Sequence, residues 1–135
     1  MVYQTWRAAL SSTSATRLTT DGGAPTTING LHLAANMVAK TTVDATCVDT
    51  TNSANFATWN IQQGALTRGA TNTAYVGDAS SGVAPSLSGG AGSGGGGALL
   101  TIGAETTHQV MTVSVTWPNS NAVHCVANVR AIEAQ

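Results

Sequence analysis

Residues 56–69 read FATWNIQQGALTRG. Ala57, Trp59, Ile61 and Gln63 fall on one face of a strand, and Thr58, Asn60 and Gln62 on the other. Gly64 then breaks the alternation, so Ala65 and Leu66 stay covered only through a bulge or a register change. Trp59 offers a core a single large block of apolar area. This stretch is a β-strand with a built-in irregularity, and it sets the class of the whole chain.

The same two-residue period recurs on both sides. Residues 2–10 put Val2, Gln4, Trp6, Ala8 and Leu10 on one face, with Trp6 as a core or interface anchor. Residues 37–49 put Met37, Ala39, Thr41, Val43, Ala45 and Cys47 on one face and leave Val38, Lys40, Thr42, Asp44 and Thr46 on a wetter one. Residues 108–117 alternate Gln109, Met111, Val113, Val115 and Trp117 against His108, Val110, Thr112, Ser114 and Thr116. Residues 122–134 alternate Val123, Cys125, Ala127, Val129 and Ala131 against His124, Val126, Asn128, Arg130 and Ile132. Shorter strands fit at 73–76 and 98–102. Residues 11–17 read as a polar loop or edge segment. Asp21-Gly22-Gly23 and Pro118-Asn119-Ser120-Asn121 are turns, and Asn29-Gly30 is the preferred pair for a hairpin joining 26–28 to 31–33. No stretch has the period of an amphipathic helix.

About eight short strands separated by turn signals predict an all-β fold, a single-domain antiparallel β-sandwich. A jelly roll and an immunoglobulin-like Greek key share this pattern; a jelly-roll-like sandwich over residues 1–135 is the expectation. Residues 1–14 would form an N-terminal arm. Residues 78–97 would form a long Gly/Ser-rich loop ending in SLSGGAGSGGGG, with glycines at 82, 89, 90, 92 and 94–97. A connection of that length is uncommon inside a compact domain. It reads as a long surface excursion that either packs on a neighbouring subunit or stays mobile. No Lys-Ser or Lys-Thr follows the glycines, so it does not read as a phosphate loop.

Charged residues make up 8% of the chain, against roughly 25% in an ordinary soluble domain. Thr, Ser, Ala, Asn and Gly take their place. Dispersed charge is what keeps free monomers apart, so this composition predicts a surface partly covered in an assembly. The net charge is −1, and Arg7, Arg17, Lys40, Arg68 and Arg130 are scattered. That argues against nucleic-acid binding, which favours a basic face. No run approaches the roughly 18 apolar residues of a membrane helix, and the first residues, MVYQTWRAAL, lack the basic-then-apolar order of a signal peptide.

The candidate chemistries are thin. Cys47 and Cys125 each sit within an apolar alternation, which favours buried free thiols; a disulfide stays open if their strands are neighbours. His32, His108 and His124 have no carboxylates repeating at ligand spacing, so no metal and no cofactor is expected. No GxSxG occurs, and no serine is placed as a nucleophile. The six acids are Asp21, Asp44, Asp49, Asp78, Glu105 and Glu133. None forms an evident catalytic pair; Asp44 and Asp49 read as solubilising. No enzymatic activity is expected.

One resemblance goes further. WNIQQGALTRG, residues 59–69, resembles the Trp-x-Val-x-Gly-x-Ile-x-Arg-Gly stretch of a small β module of tailed-bacteriophage virion structural proteins. RLTTDG at 17–22 looks like that module's opening turn, NTAYVG at 72–77 like its next short strand, and HCVANVRAIE at 124–133 like its closing strand. The closing strand usually reads Arg-Trp-Val-Ala-x-x-Arg-x-x-Glu. Here His124 stands for the Arg and Cys125 for the Trp, so the core must be repacked, with Trp117 as the candidate. The resemblance spans roughly residues 15–134 and brings no catalytic residues.

The resemblance implies a non-enzymatic virion structural protein. Only a short segment precedes the module, without the anchor and shaft of a fibre. The expectation is therefore a capsid decoration, or cement, protein, made in the host cytoplasm and placed on the outer capsid surface. Its partners would be the major capsid protein and further copies of itself as a homotrimer, with neither nucleic acid nor membrane. Tyr3, Trp6 and Arg7 in the arm, and Ser86, Leu87 and Gly97 in the loop, would carry the contacts. The alternative is the tip of a tail or head fibre, or a receptor-binding module, attaching to the host surface.

Overall fold

The computed structural model describes residues 2–24, 26, 28–77, 86–89 and 98–134. Within them the chain is all-β, without a helix, and holds ten strands rather than about eight. These are β1 (Val2–Leu10), β2 (Thr16–Leu18), β3 (Leu31–His32), β4 (Met37–Asp49), β5 (Phe56–Arg68), β6 (Thr73–Gly77), β7 (Ser86–Gly89), β8 (Leu99–Glu105), β9 (Val110–Thr116) and β10 (Val123–Ala134). All pairings are antiparallel. The larger sheet runs β1-β10-β4-β5-β6, with β7 also on β5. The smaller has β9 at its centre, β8 on one edge, and β2 and β3 sharing the other. The inner faces of the two sheets together form one core.

Residues 2–10 are part of the sheet body. β1 pairs with β10 along its whole length, from Val2↔Ala131 to Leu10↔Val123, so they do not form the expected arm. The alternation is as the sequence predicts: Trp6, Ala8 and Leu10 are buried, and Tyr3, Thr5, Arg7 and Ala9 exposed.

Register explains how three tryptophans fit a core otherwise made of small residues. One cross-strand row on the inner face reads Trp6, Ala127, Ala45, Trp59; the next reads Ala8, Cys125, Cys47, Ala57. The alanines of the first row leave room for the indoles on either side, and all four residues are buried. In the second row, Cys47 and Cys125 face each other with their Cα atoms 4.1 Å apart and are joined by a disulfide. The favoured reading of two free thiols is therefore corrected: the strands are neighbours, and the pair sits at the narrow spacing of an antiparallel ladder. The covalent pair occupies position 125, where the resembled module carries a Trp. Trp117 is fully buried elsewhere in the core, and its indole N–H has no hydrogen-bond partner.

The irregularity expected near Gly64 lies a few residues earlier. Val43 pairs with Gln62 and Ala45 with Trp59, so β5 spends three residues where β4 spends two. The extra residue reverses the parity of β5. Ala57 and Trp59 point inward before it, and Gly64 and Leu66 after it. The bulge also divides the strand's far edge, where β7 pairs with residues 57–60 and β6 with residues 64–68. The side chains of residues 60–63, including Ile61 and Gln63, lie outside the described residues.

The Asn29-Gly30 hairpin does not form. Asn29 is buried, and its side chain ties the preceding loop. Its Nδ2 donates to Asp21 Oδ1 (2.9 Å) and to the Ala24 carbonyl (2.8 Å), while its Oδ1 accepts from the Thr26 N–H (2.7 Å). Leu31 and His32 pair with β9 instead. The Asp21-Gly22 turn is as expected, with Gly22 at φ +79°, a conformation that L-residues avoid.

Candidate interaction surface

The outer face of the larger sheet gathers most of the exposed apolar side chains. Tyr3 (58% exposed), Val126, Ile132, Val38 and Phe56 lie on it beside Thr5, Thr42, Thr46 and Thr58. Its basic residues are Arg7, Lys40 and Arg130. Arg130 Nη2 lies 3.6 Å from Asp44 Oδ2. The face is broad and rich in threonine, and the register sets Arg130 beside Tyr3, Arg7 beside Val126 and Lys40 beside Ile132.

The nominated contact residues fare differently. Tyr3 and Arg7 are exposed on this face. Trp6 is fully buried in the row described above, so it is a core residue and presents no surface for a partner. Ser86 and Leu87 belong to β7, whose backbone pairs with Asn60 and Trp59 of β5; they are sheet, where a loop was expected. Gly97, with most of the 78–97 stretch, lies outside the described residues.

The histidines do not converge. His32 Nδ1 lies 3.0 Å from the His108 carbonyl, and its Nε2 3.5 Å from Arg68 Nη1. His108 Nδ1 meets Glu105 Oε2 at 3.0 Å. His124 stands apart on the outer face of β10. Among the described residues, no three of His, Cys, Asp and Glu gather as a metal site would require.

Four polar side chains that the sequence left as surface or turn residues are structural pins. Asp49 is 2% exposed, which corrects its reading as a solubilising residue. Its Oδ1 accepts from the Thr51 hydroxyl (2.7 Å) and N–H (2.9 Å), and its Oδ2 from Asn121 Nδ2 (2.7 Å), so it links the β4–β5 and β9–β10 turns. These bonds hold its carboxyl well below the usual range. A signal was available, because Asp49 continues the buried parity of Met37 to Cys47. Asp21 is lowered too, first by the Gly23 N–H and then by Asn29 and Thr19. Burial disfavours ionisation of Glu105, but donors from His108 and Thr107 outweigh it and hold the carboxyl at about 2. Arg68 donates from Nη1 to the Leu33 carbonyl (2.7 Å), fastening β5 to the end of β3.

A concavity of about 360 Å³ opens where β1 and β10 meet the Asp21-Gly22 turn, lined by Arg7, Ala9, Asp21, Gly22, His124 and Val126 among others. Arg7 pairs in register with Val126, and Ala9 with His124. Arg7 and His124 are thus diagonal neighbours on the outer face, with Ala9 and Val126 between them. The turn is bound to the sheet edge through Arg7: its N–H donates to the Thr19 carbonyl (2.7 Å), its carbonyl accepts from the Thr19 N–H (3.1 Å), and its Nε donates to the Thr20 carbonyl (3.2 Å). No protein-family model and no curated protein sequence matches the chain.

Proposed function

We propose that the chain is a non-enzymatic structural protein of a tailed-bacteriophage virion, acting as a capsid decoration protein that bridges neighbouring capsomers on the outside of the head. The observation that carries this reading is the outer face of the larger sheet, where Tyr3, Val126, Ile132, Val38 and Phe56 lie exposed among threonines, with Arg130, Arg7 and Lys40 paired beside the first three. Such a face suits docking onto another protein surface, and a grouped set of exposed apolar side chains marks interaction sites. The residues behind the phage resemblance support it from the other side. Trp59, Arg68 and the Asp21-Gly22 turn all hold scaffold positions, as the shared framework of a module should.

The mechanism is mechanical. Binding only to the assembled shell stabilises it by mass action, by about 2.7 kcal/mol per site when the free protein stands at a hundred times its Kd. The partners in this reading are the major capsid protein and two further copies of the chain. The test is a count of copies per particle, by densitometry of purified virions against the major capsid protein. A ratio of one decoration chain per capsid chain, or a simple fraction of it, is the expected result. A count of a few to a few tens of chains would overturn it in favour of a fibre tip or receptor-binding module. That second reading has one observation of its own, the small concavity beside Arg7.

A further inference from the structure

The Arg7 side chain is held at one end and open at the other. Its Nε is engaged by the Thr20 carbonyl at 3.2 Å, and the Gly22 backbone lies against its stem, where a Cβ on Gly22 would sit 3.5 Å from Arg7 Cγ. Its Nη atoms have no partner, and no carboxylate lies within 4.0 Å of the guanidinium among the described residues. A guanidinium fixed through Nε with a free Nη pair is a ready fork for a planar oxyanion. His124 stands diagonally across from it, and its imidazole makes no hydrogen bond among the described residues.

The rest of the concavity narrows the ligand. Asp21, which is among the lining residues, accepts at Oδ1 from Gly23 N–H (2.8 Å), Asn29 Nδ2 (2.9 Å) and the Thr19 hydroxyl (3.0 Å), which leaves Oδ2 without a donor among the described residues. Ala9 and Val126 give an apolar floor. A simple inorganic anion would leave that floor bare and would face the Asp21 carboxylate unfavourably. A neutral sugar would leave the fork unpaired. An acidic peptide side chain brings a carboxylate but no hydroxyl for Asp21. A ring with a carboxylate at one end, hydroxyls at the other and a C–H face between them matches every element. At about 360 Å³ the space is at the small end of ligand sites, which fits a single ring.

We infer that this concavity binds a carboxylated sugar ring of the hexuronic-acid class, with the carboxylate on the Arg7 fork beside His124, a hydroxyl donating to Asp21 Oδ2, and the ring's C–H face on Ala9 and Val126. The inference concerns the free chain and does not rest on the proposed function; Arg7 and Val126 also lie on the face proposed to dock, so a partner bound there would compete with the sugar.

The experiment is an amide-resonance titration of the isotopically labelled full-length protein with glucuronate, alongside glucose, acetate and a glutamate-containing peptide as separate arms. The expected result is a saturable shift of the Arg7, Gly22 and His124 resonances with glucuronate, at least about tenfold tighter than with any other arm, since a fork and a hydroxyl acceptor act together only on that ligand. Arg7→Lys keeps the charge, loses the fork, and should weaken binding about tenfold. Val126→Phe leaves the charges alone, fills the floor, and should weaken it comparably. Thr101→Ala, exposed on β8 of the other sheet, should change nothing. Arg7 and Val126 are both exposed, and thermal melts confirm that each variant folds; either one alone suffices for the test. Equal binding of acetate or of the peptide would overturn the sugar assignment, as would binding of glucose at the same strength. Absence of a saturable shift, or variants that bind like the parent, would overturn the site.

Discussion

Removing the Cys47–Cys125 bridge should be the most costly two-residue change available to this fold. The cysteines are 78 residues apart in sequence, so the bridge restricts the unfolded chain across β5 to β9. For a loop of that size the chain-entropy relation gives about 4.5 kcal/mol at 25 °C, above the roughly 2–4 kcal/mol that bridges typically deliver. Cys→Ala at each buried site also removes packing, worth about 1 kcal/mol apiece. These terms combine in a particular way. Either single substitution already destroys the bridge, so Cys47→Ala and Cys125→Ala should each cost about 3–5 kcal/mol, and the second change in the double variant should add only about 1 kcal/mol. At roughly 4 °C per kcal/mol for a domain of this size, the melting temperature should fall by about 10–20 °C. Urea unfolding of the parent, both singles (remaining thiol kept reduced) and the double gives the full cycle. Single-variant losses that simply add in the double, within about 0.5 kcal/mol, would refute the argument, as would a parent whose melting temperature is unchanged after full reduction.

Acid should unfold the protein earlier than its low charge suggests. The unfolded chain takes up protons on Asp and Glu near 3.8 and 4.5, whereas Asp21, Asp49 and Glu105 (the last held at about 2) resist protonation when folded. The stability they supply is fully present above about pH 4.5 and is lost as pH falls from there toward 2 and below. The urea midpoint should drop across that interval, less steeply in Asp49→Asn; a flat midpoint would contradict the pinning roles. Gly22→Ala should cost about 1–2 kcal/mol, because φ is +79° while the added Cβ meets only ordinary contacts. Gly22→Asn should cost less, and equal losses for the two variants would point to crowding instead. Trp59→Ala should cost about 3–5 kcal/mol by urea titration, and a loss below 1 kcal/mol would mean that the tryptophan–alanine row is not packed as described.

The strands that sequence predicts best are β1, β4 and β10. Each has one face in the core and one outside, so burial imprints a period of two directly on the residue order. β9 is less transparent, because Val110 and Thr112 are buried along with Met111 and Val113 and the second face carries no contrast. β2 and β3, at three and two residues, are too short for any period, and their existence depends on β9 being there to pair with. Asn29-Gly30 has the right chemistry for a hairpin, but its asparagine is drawn inward by Asp21 and Thr26. The disulfide was out of reach for a related reason: it depends on the register of two strands far apart in the chain. At the candidate surface, outward placement of Tyr3 and Arg7 follows from alternation, and so does the burial of Trp6. The concavity does not, because it needs the Asp21-Gly22 turn to fold back over β1 and grip Arg7 through Thr19 and Thr20.

The two departures from the resembled closing strand fall on adjacent residues, and adjacent residues in a strand face opposite ways. Cys125 points into the core and is tied covalently to Cys47, where the resembled strand has an aromatic ring. His124 points out, onto the rim of the Arg7 concavity. The consequences should separate cleanly. His124→Arg, the residue of the resembled strand, should leave the melting temperature within about 2 °C of the parent, as expected for an exposed position, while changing how the concavity holds an anion. Cys47→Ala, which breaks the same bridge from outside the concavity's lining, should do the reverse, lowering the melting temperature by about 10–20 °C while leaving anion binding at the concavity unchanged below the melt. If the His124 variant melts early, or the Cys47 variant alters binding while still folded, the two faces of the sheet are coupled and its division into a stability face and a recognition face is wrong.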